Sequence, residues 1–242
     1  MKRAIVFGAT GGIGQEICRD LADAGWSLYL HYHSNAQGAQ ELAQELFAKY
    51  SKQDFMPVQL DFAVRDTELT RFVKNLLPVN AAVFAQGITK YGFLGDEDLS
   101  DITKLININL TVPIKLTKLL EPQLMKQNFS RIVYLGSVYG GAGSALESVY
   151  SATKGGLTRF AQAYAREVAS NNLTANVIAP GAVKTQMNAI FSEETMQEVQ
   201  EEIPIGRWAV GNDISYWVRT LLDQRSGYLT GQTIYVTGGW LL

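Results

Sequence analysis

Short apolar runs rich in β-branched and aromatic residues alternate along the chain with longer stretches whose apolar positions recur every three or four residues. The runs fall at 4–7 (AIVF), 27–32 (SLYLHY), 55–60 (FMPVQL), 81–85 (AAVFA), 131–136 (RIVYLG), 174–179 (TANVIA) and 233–236 (TIYV). Several are almost wholly apolar, as strands covered on both faces must be. Between them, amphipathic stretches at 12–24, 35–50, 65–76, 99–127, 149–171 and 213–223 predict helices. This alternation predicts βαβ units around a parallel sheet, an α/β fold. The segment 184–203 breaks the pattern, being long, polar and followed by PIG, and reads as an insertion or substrate lid. No repeat or linker divides the 242 residues, so a single domain over 1–242 is expected.

Composition narrows the function classes. The net charge of -2 and the scattered lysines and arginines argue against nucleic acid or an anionic membrane as partner. The single cysteine, Cys18, excludes an internal disulfide and suits a small buried position on a helix better than a reactive thiol. The apolar run after Met-Lys-Arg is too short for a secretory core, and none approaches the roughly 18 residues of a membrane span. A cytoplasmic location and no metal site are the expectations.

The first strand runs into FGATGGIG, which opens the first helix. Gly8 suits the tight turn, Gly12 a close backbone approach to a ligand, and Gly14 close packing of helix on strand. Free N–H groups at the helix start would face an anion such as a pyrophosphate, making Gly8, Thr10, Gly11, Gly12, Ile13 and Gly14 candidate cofactor contacts. The spacing is G-x-x-x-G-x-G rather than the commoner G-x-G-x-x-G. At the end of the second strand, LHYHSN carries no acid to hold a ribose 2′-hydroxyl. His31, His33, Ser34 and Asn35 could donate to a 2′-phosphate there or serve as ordinary turn residues. The missing acid tilts the choice toward NADP.

Within the helix at 149–171, YSATKGGL sets Tyr150 and Lys154 four residues apart, on one face. A nearby cation favours a phenolate. At about 4 Å and an effective dielectric of roughly 20 the attraction is about 4 kcal/mol, enough to bring a tyrosine toward neutrality, while burial would push the other way. The two glycines that follow cost the helix about 1 kcal/mol each and imply close packing against a neighbour. The Tyr–Lys spacing alone says little; its context adds weight. Ser137 ends the strand RIVYLGS, thirteen residues before Tyr150, where ligands of open parallel sheets bind.

Taken in order, GATGGIG, NINL, GS with YSATK thirteen residues on, NVIAPGAVKTQM and YLTGQTIYVTGG resemble the short-chain dehydrogenase/reductase family over essentially the whole chain. The likeness is greatest to its 3-oxoacyl-[acyl-carrier-protein] reductase-like branch. The resemblance implies a Rossmann fold, a doubly wound seven-stranded parallel sheet with helices on both faces. It implies NADP(H)-dependent reduction of a ketone, with Tyr150 as general acid, Lys154 lowering its pKa and binding ribose, and Ser137 polarising the carbonyl. Asn109 would hold a proton-relay water. By the same resemblance Asp61, Gly87, Pro180, Gly181, Val183 and Thr185 contact the cofactor.

The substrate implied is a small-molecule or carrier-protein-bound ketone. A ketone attached to a protein, such as a modified lysine of a translation factor, or a free small ketone or sugar is the alternative. A homo-oligomer, a tetramer as in most of this branch, is implied as well. A reading of another class, a non-catalytic dinucleotide-binding regulator, would not need Tyr, Lys, Ser and Asn together. Two departures stand out: Phe7 replaces the usual Thr, and FAQG (84–87) replaces NNAG. Altered loop packing is expected from them.

Overall fold

The computed structural model describes residues 1–188 and 191–241. Seven strands, β1 (Arg3–Phe7), β2 (Ser27–Tyr32), β3 (Phe55–Gln59), β4 (Ala81–Phe84), β5 (Ser130–Leu135), β6 (Leu173–Pro180) and β7 (Thr233–Val236), form one parallel sheet. Their order is β3-β2-β1-β4-β5-β6-β7, so the winding reverses between β1 and β4. Ligands of such sheets bind beyond the strands' carboxyl ends at that reversal.

Alternation along each strand sends neighbouring residues to opposite cores. Ile5, Phe7, Ala82, Phe84, Ile132 and Tyr134 pack on one face, beneath helices α3 (Asp66–Lys74), α5 (Val112–Leu124) and α7 (Ser148–Val168). Ala4, Val6, Leu28, Leu30, Ala81 and Val83 pack on the other, against α1 (Gly12–Asp23), α2 (Ala36–Lys49) and α9 (Gly211–Leu222). Cys18 is buried in this second core. Burial pushes its thiol pKa up, which leaves the thiol inert. No helix among the described residues is long and apolar enough to cross a membrane.

Three expectations need correction. The helix expected over 99–127 is interrupted: α4 (Leu99–Ile106) passes through a π-helical turn, Asn107–Thr111, into α5. Pro113 has no N–H to give the carbonyl four residues back, so the turn before it widens. The polar segment 184–203, where no helix was expected, contains α8 (Glu193–Glu202), whose first turn is capped by Ser192 accepting from Thr195 N–H at 3.1 Å. Ala189 and Ile190 of that segment lie outside the described residues.

The third correction concerns Phe7 and Phe84. They do not repack a loop. They pair across β1 and β4 with rings stacked at 4.8 Å, and Tyr134 on β5 continues the stack at 5.0 Å. Two apolar departures at paired positions thus fill each other's space inside the sheet. Between β5 and α7 a short helix, α6 (Tyr139–Ala142), lies against α7. A Cβ on Gly155 would stand 3.1 Å from the Gly140 carbonyl oxygen, and one on Gly156 would stand 3.1 Å from Leu110. The glycines after Lys154 therefore let α7 press against elements of its own chain.

Candidate active site

A cavity of about 1220 Å³ runs along the carboxyl ends of the strands. At one end lies the glycine turn. Gly8 has φ +79°, and a Cβ there would come within 2.7 Å of the Gln86 nitrogen, so β1 and β4 meet at the winding reversal with no room for a side chain. Gly14 is tighter still, its Cβ position 2.0 Å from the Gly8 carbonyl oxygen. No side chain caps α1, which leaves its first N–H groups facing the cavity with the positive end of the helix dipole. Thr185 stands across from Gly12, where a Cβ would be 3.2 Å from its methyl carbon. A cradle of backbone donors without side chains fits a dinucleotide pyrophosphate.

Gly8, Thr10, Gly11, Gly12, Ile13 and Gly14 line the cavity, as do His33, Asp61 and Gly87. Pro180, Gly181, Val183 and Thr185 line it from the β6 end. The 182–184 strip is held in place by Ala209, which donates to the Ala182 carbonyl at 2.9 Å and accepts from Lys184 N–H at 2.9 Å. Ser34 and Asn35 lie outside the lining. Asn35 turns back to cap α2, its Oδ1 accepting from Gly38 N–H at 3.0 Å. His33 is exposed and stands 3.7 Å from the Asp61 carboxylate.

His31 does not serve as a phosphate donor, because both ring nitrogens are engaged inside the protein. Nδ1 accepts from Gly8 N–H at 3.0 Å, and Nε2 donates to the Leu60 carbonyl at 3.0 Å. One buried imidazole thus ties the glycine turn to the end of β3. Burial pushes its pKa down from 6.5 to about 4, against the partial support of the Leu60 carbonyl. The unfolded chain takes up this proton near 6.5 and the folded chain only near 4. Between those values the unfolded state holds more protons, so falling pH favours unfolding. The stability is fully present above 6.5 and declines by about 3 kcal/mol as pH falls toward 4. Denaturant titrations from pH 7 to 4 should show that decline in the wild type. His31→Asn keeps an acceptor for Gly8 but cannot titrate, and its stability should be flatter with pH.

At the other end of the cavity are Ser137, Tyr150 and Lys154. Ser137 lies two residues beyond the end of β5 and is 8% exposed; its Oγ accepts from Tyr139 N–H at 3.2 Å. Lys154 is buried among apolar groups and donates to the Leu135 carbonyl at 2.7 Å. Burial lowers its pKa from 10.5 to about 8. Tyr150 moves opposite to the expectation from its spacing to Lys154. Burial raises its pKa to about 12, the neighbouring Ser137 hydroxyl draws it part-way back, and Glu147 and Tyr139 add to the rise. The ammonium is 5.6 Å from the ring centroid and committed to a carbonyl, so desolvation outweighs its attraction.

Asn109 sits behind the cavity wall, fully buried in the π turn. Its Oδ1 accepts from Ile88 N–H at 3.0 Å and its Nδ2 donates to the Ile88 carbonyl at 2.8 Å, clamping the loop after β4. Gly87 leaves the space between this clamp and Lys154. A Cβ there would be 3.4 Å from Lys154 Nζ and 3.6 Å from Asn109 Oδ1. The sequence reading missed His31 as a brace, as well as Thr89. It also missed an aromatic wall of Tyr91, Tyr139, Trp208 and Trp240.

A doubly wound parallel sheet, a glycine turn at its winding reversal and a Tyr–Lys–Ser group in the same cavity define a dinucleotide-dependent type of site. The short chain dehydrogenase family profile matches residues 2–196, and the chain belongs to that family of oxidoreductases. It is 34% identical over 241 residues to YmfI of Bacillus subtilis, an uncharacterized oxidoreductase, covering 99% of this chain and 98% of that one. It is 32% identical to the 3-oxoacyl-[acyl-carrier-protein] reductase FabG of Aquifex aeolicus, covering 98% and 96%. Among solved structures, a Beutenbergia cavernae protein with bound NADP superposes with TM-score 0.92 at 26% identity, covering 99% of this chain and 96% of that one. That protein is assigned as an NAD(P)-dependent gluconate 5-dehydrogenase.

Proposed function

We propose that the protein reduces a ketone to a secondary alcohol with NADPH. The observation that carries this is the convergence of Ser137, Tyr150 and Lys154 in one cavity with the glycine turn. The relatives named for 3-oxoacyl-[acyl-carrier-protein] reduction and gluconate 5-dehydrogenation share interconversion of a ketone and a secondary alcohol, and that shared step is assigned here. The first N–H groups of α1 and the Gly8–Gly14 turn hold the pyrophosphate. The lack of an acid at the end of β2, with His33 beside it, supports preference for the 2′-phosphate form. When bound, the nicotinamide supplies the hydride.

The side chains supply the rest. Ser137 and Tyr150, side by side in the cavity, present two hydroxyls to one carbonyl oxygen. With its pKa raised to about 12, Tyr150 is a neutral phenol at physiological pH, the form that can donate a proton to an oxygen gaining negative charge. Lys154, brought to about 8 and held at the Leu135 carbonyl, would replace that proton through a relay water rather than directly. Asn109 Oδ1 accepts one hydrogen bond, from Ile88 N–H, and keeps a lone pair beside the space that Gly87 leaves, which supports its role in holding a relay water. The segment 184–203 acts as a lid, since Thr195 and Val199 of α8 line the cavity. A ketone panel assayed with NADPH and NADH tests the reading. We expect kcat/KM at least about tenfold higher with NADPH, the scale of one charge-assisted contact. Consumption of neither nucleotide with any ketone would overturn it.

A further inference from the structure

Glu147 is an acid that the proton transfer does not require. It stands immediately before α7, three residues ahead of Tyr150, and is 9% exposed. A short polar side chain at that position would accept from the free N–H groups of the first helical turn. Glu147 makes no such bond. Its Oε1 instead accepts from Thr89 Oγ1 at 2.5 Å, and its carboxyl lines the cavity close to Tyr150 and Tyr139. Thr89 is itself held by the Asn109 clamp on Ile88 next door. Burial drives the Glu147 pKa up and the Thr89 bond only partly opposes it. No lysine or arginine among the described residues neutralises the group. A buried carboxylate whose one partner is neutral is costly unless a cation meets it.

Two further features suit a cation. Tyr139 packs edge-on against Trp240 at 5.8 Å, and Tyr91 against Phe191 at 5.6 Å, all four lining the same cavity. Aromatic faces around a carboxylate hold alkylammonium groups by cation–π attraction. Acidic residues gather near the cavity as well, although Lys104 lines it. Asp96, Glu97, Asp98 and Asp101 precede or open α4, and Lys90 is already bound to Asp101. On the opposite side all five glutamates of α8 are exposed, while its Thr195 and Val199 face inward. Such an excess of exposed acidic side chains nearby favours the approach of cations over anions.

We propose that the ketone substrate carries a positively charged alkylammonium group on a short alkyl spacer, and that Glu147, held by Thr89 among the aromatic walls, is its subsite. The proposal rests on the ketone-reductase reading and specifies its substrate class: the carbonyl lies at Ser137 and Tyr150, and the cation lies at Glu147. The test uses three methyl ketones: one with a trimethylammonium group on a short spacer, its neutral tert-butyl isostere, and the matching carboxylate. In the wild type, kcat/KM for the cationic ketone should exceed that for the isostere by about tenfold or more, with the carboxylate below both. Glu147→Gln should bring the cationic-to-neutral ratio close to one. The wild-type comparison needs no variant, so the proposal stays testable if Glu147→Gln does not fold. Equal turnover of neutral and cationic ketones, or a preference that survives Glu147→Gln, overturns the subsite and leaves the reductase reading standing. Reduction of no ketone with either nucleotide overturns both.

Discussion

Tyr150→Phe should lower kcat/KM for ketone reduction about a thousandfold, within the range supplied by a positioned general acid. The substitution keeps the ring and removes only the hydroxyl, so packing around α7 is preserved. Ser137 still reaches the carbonyl oxygen, but its hydroxyl is a poor acid, and Lys154 points to the Leu135 carbonyl rather than into the reaction zone. The thermal midpoint should stay near the wild-type value, and nucleotide binding followed by fluorescence should persist. A variant that binds NADPH and reduces ketones at the wild-type rate would mean that the proton comes from elsewhere.

Gly14→Ala should have the largest effect on the glycine turn. The added Cβ would sit 2.0 Å from the Gly8 carbonyl oxygen, 2.9 Å from its carbon and 3.1 Å from Ala9 Cα. All three are backbone atoms, so no rotamer change relieves the clash. The turn has to move, and with it the Gly8 N–H that His31 holds. Overpacking of this kind costs about 3 kcal/mol or more, and displaced backbone donors should weaken NADPH binding at least about a hundredfold. Gly11→Ala is the stability control. Its Cβ would lie 3.4 Å from the Gly8 oxygen, an ordinary contact, so it should cost about 1 kcal/mol or less. Denaturant melts and nucleotide titration of the two variants separate the clash from the mere loss of a glycine.

The strands were legible in the sequence because each apolar run reports its own burial on both faces. The glycine turn was legible because its spacing is local, and Tyr150, Lys154 and Ser137 because a helix period and a strand end place them together. What escaped depends on segments distant in sequence. His31 acts through Gly8 and Leu60, which meet only when β1, β2 and β3 pair. The π turn shifts the helix by one residue without altering its apolar pattern, so the pattern over 99–127 reads as one helix. Phe7 and Phe84 read as separate departures until the β1–β4 register set them face to face. The sign of the Tyr150 shift was hidden for a related reason. Spacing gives the direction of a neighbouring charge, but burial of the phenol comes from the whole cavity.

The most direct test of the central claim is transfer of label. Wild-type protein is incubated with a reducible ketone and NADPH carrying deuterium at the reactive face of the nicotinamide, and the alcohol is analysed by mass spectrometry and NMR. The account predicts one deuterium on the carbinol carbon per NADPH consumed, and loss of that product in Tyr150→Phe. Unlabelled alcohol, or NADPH left intact with every ketone offered, would contradict it.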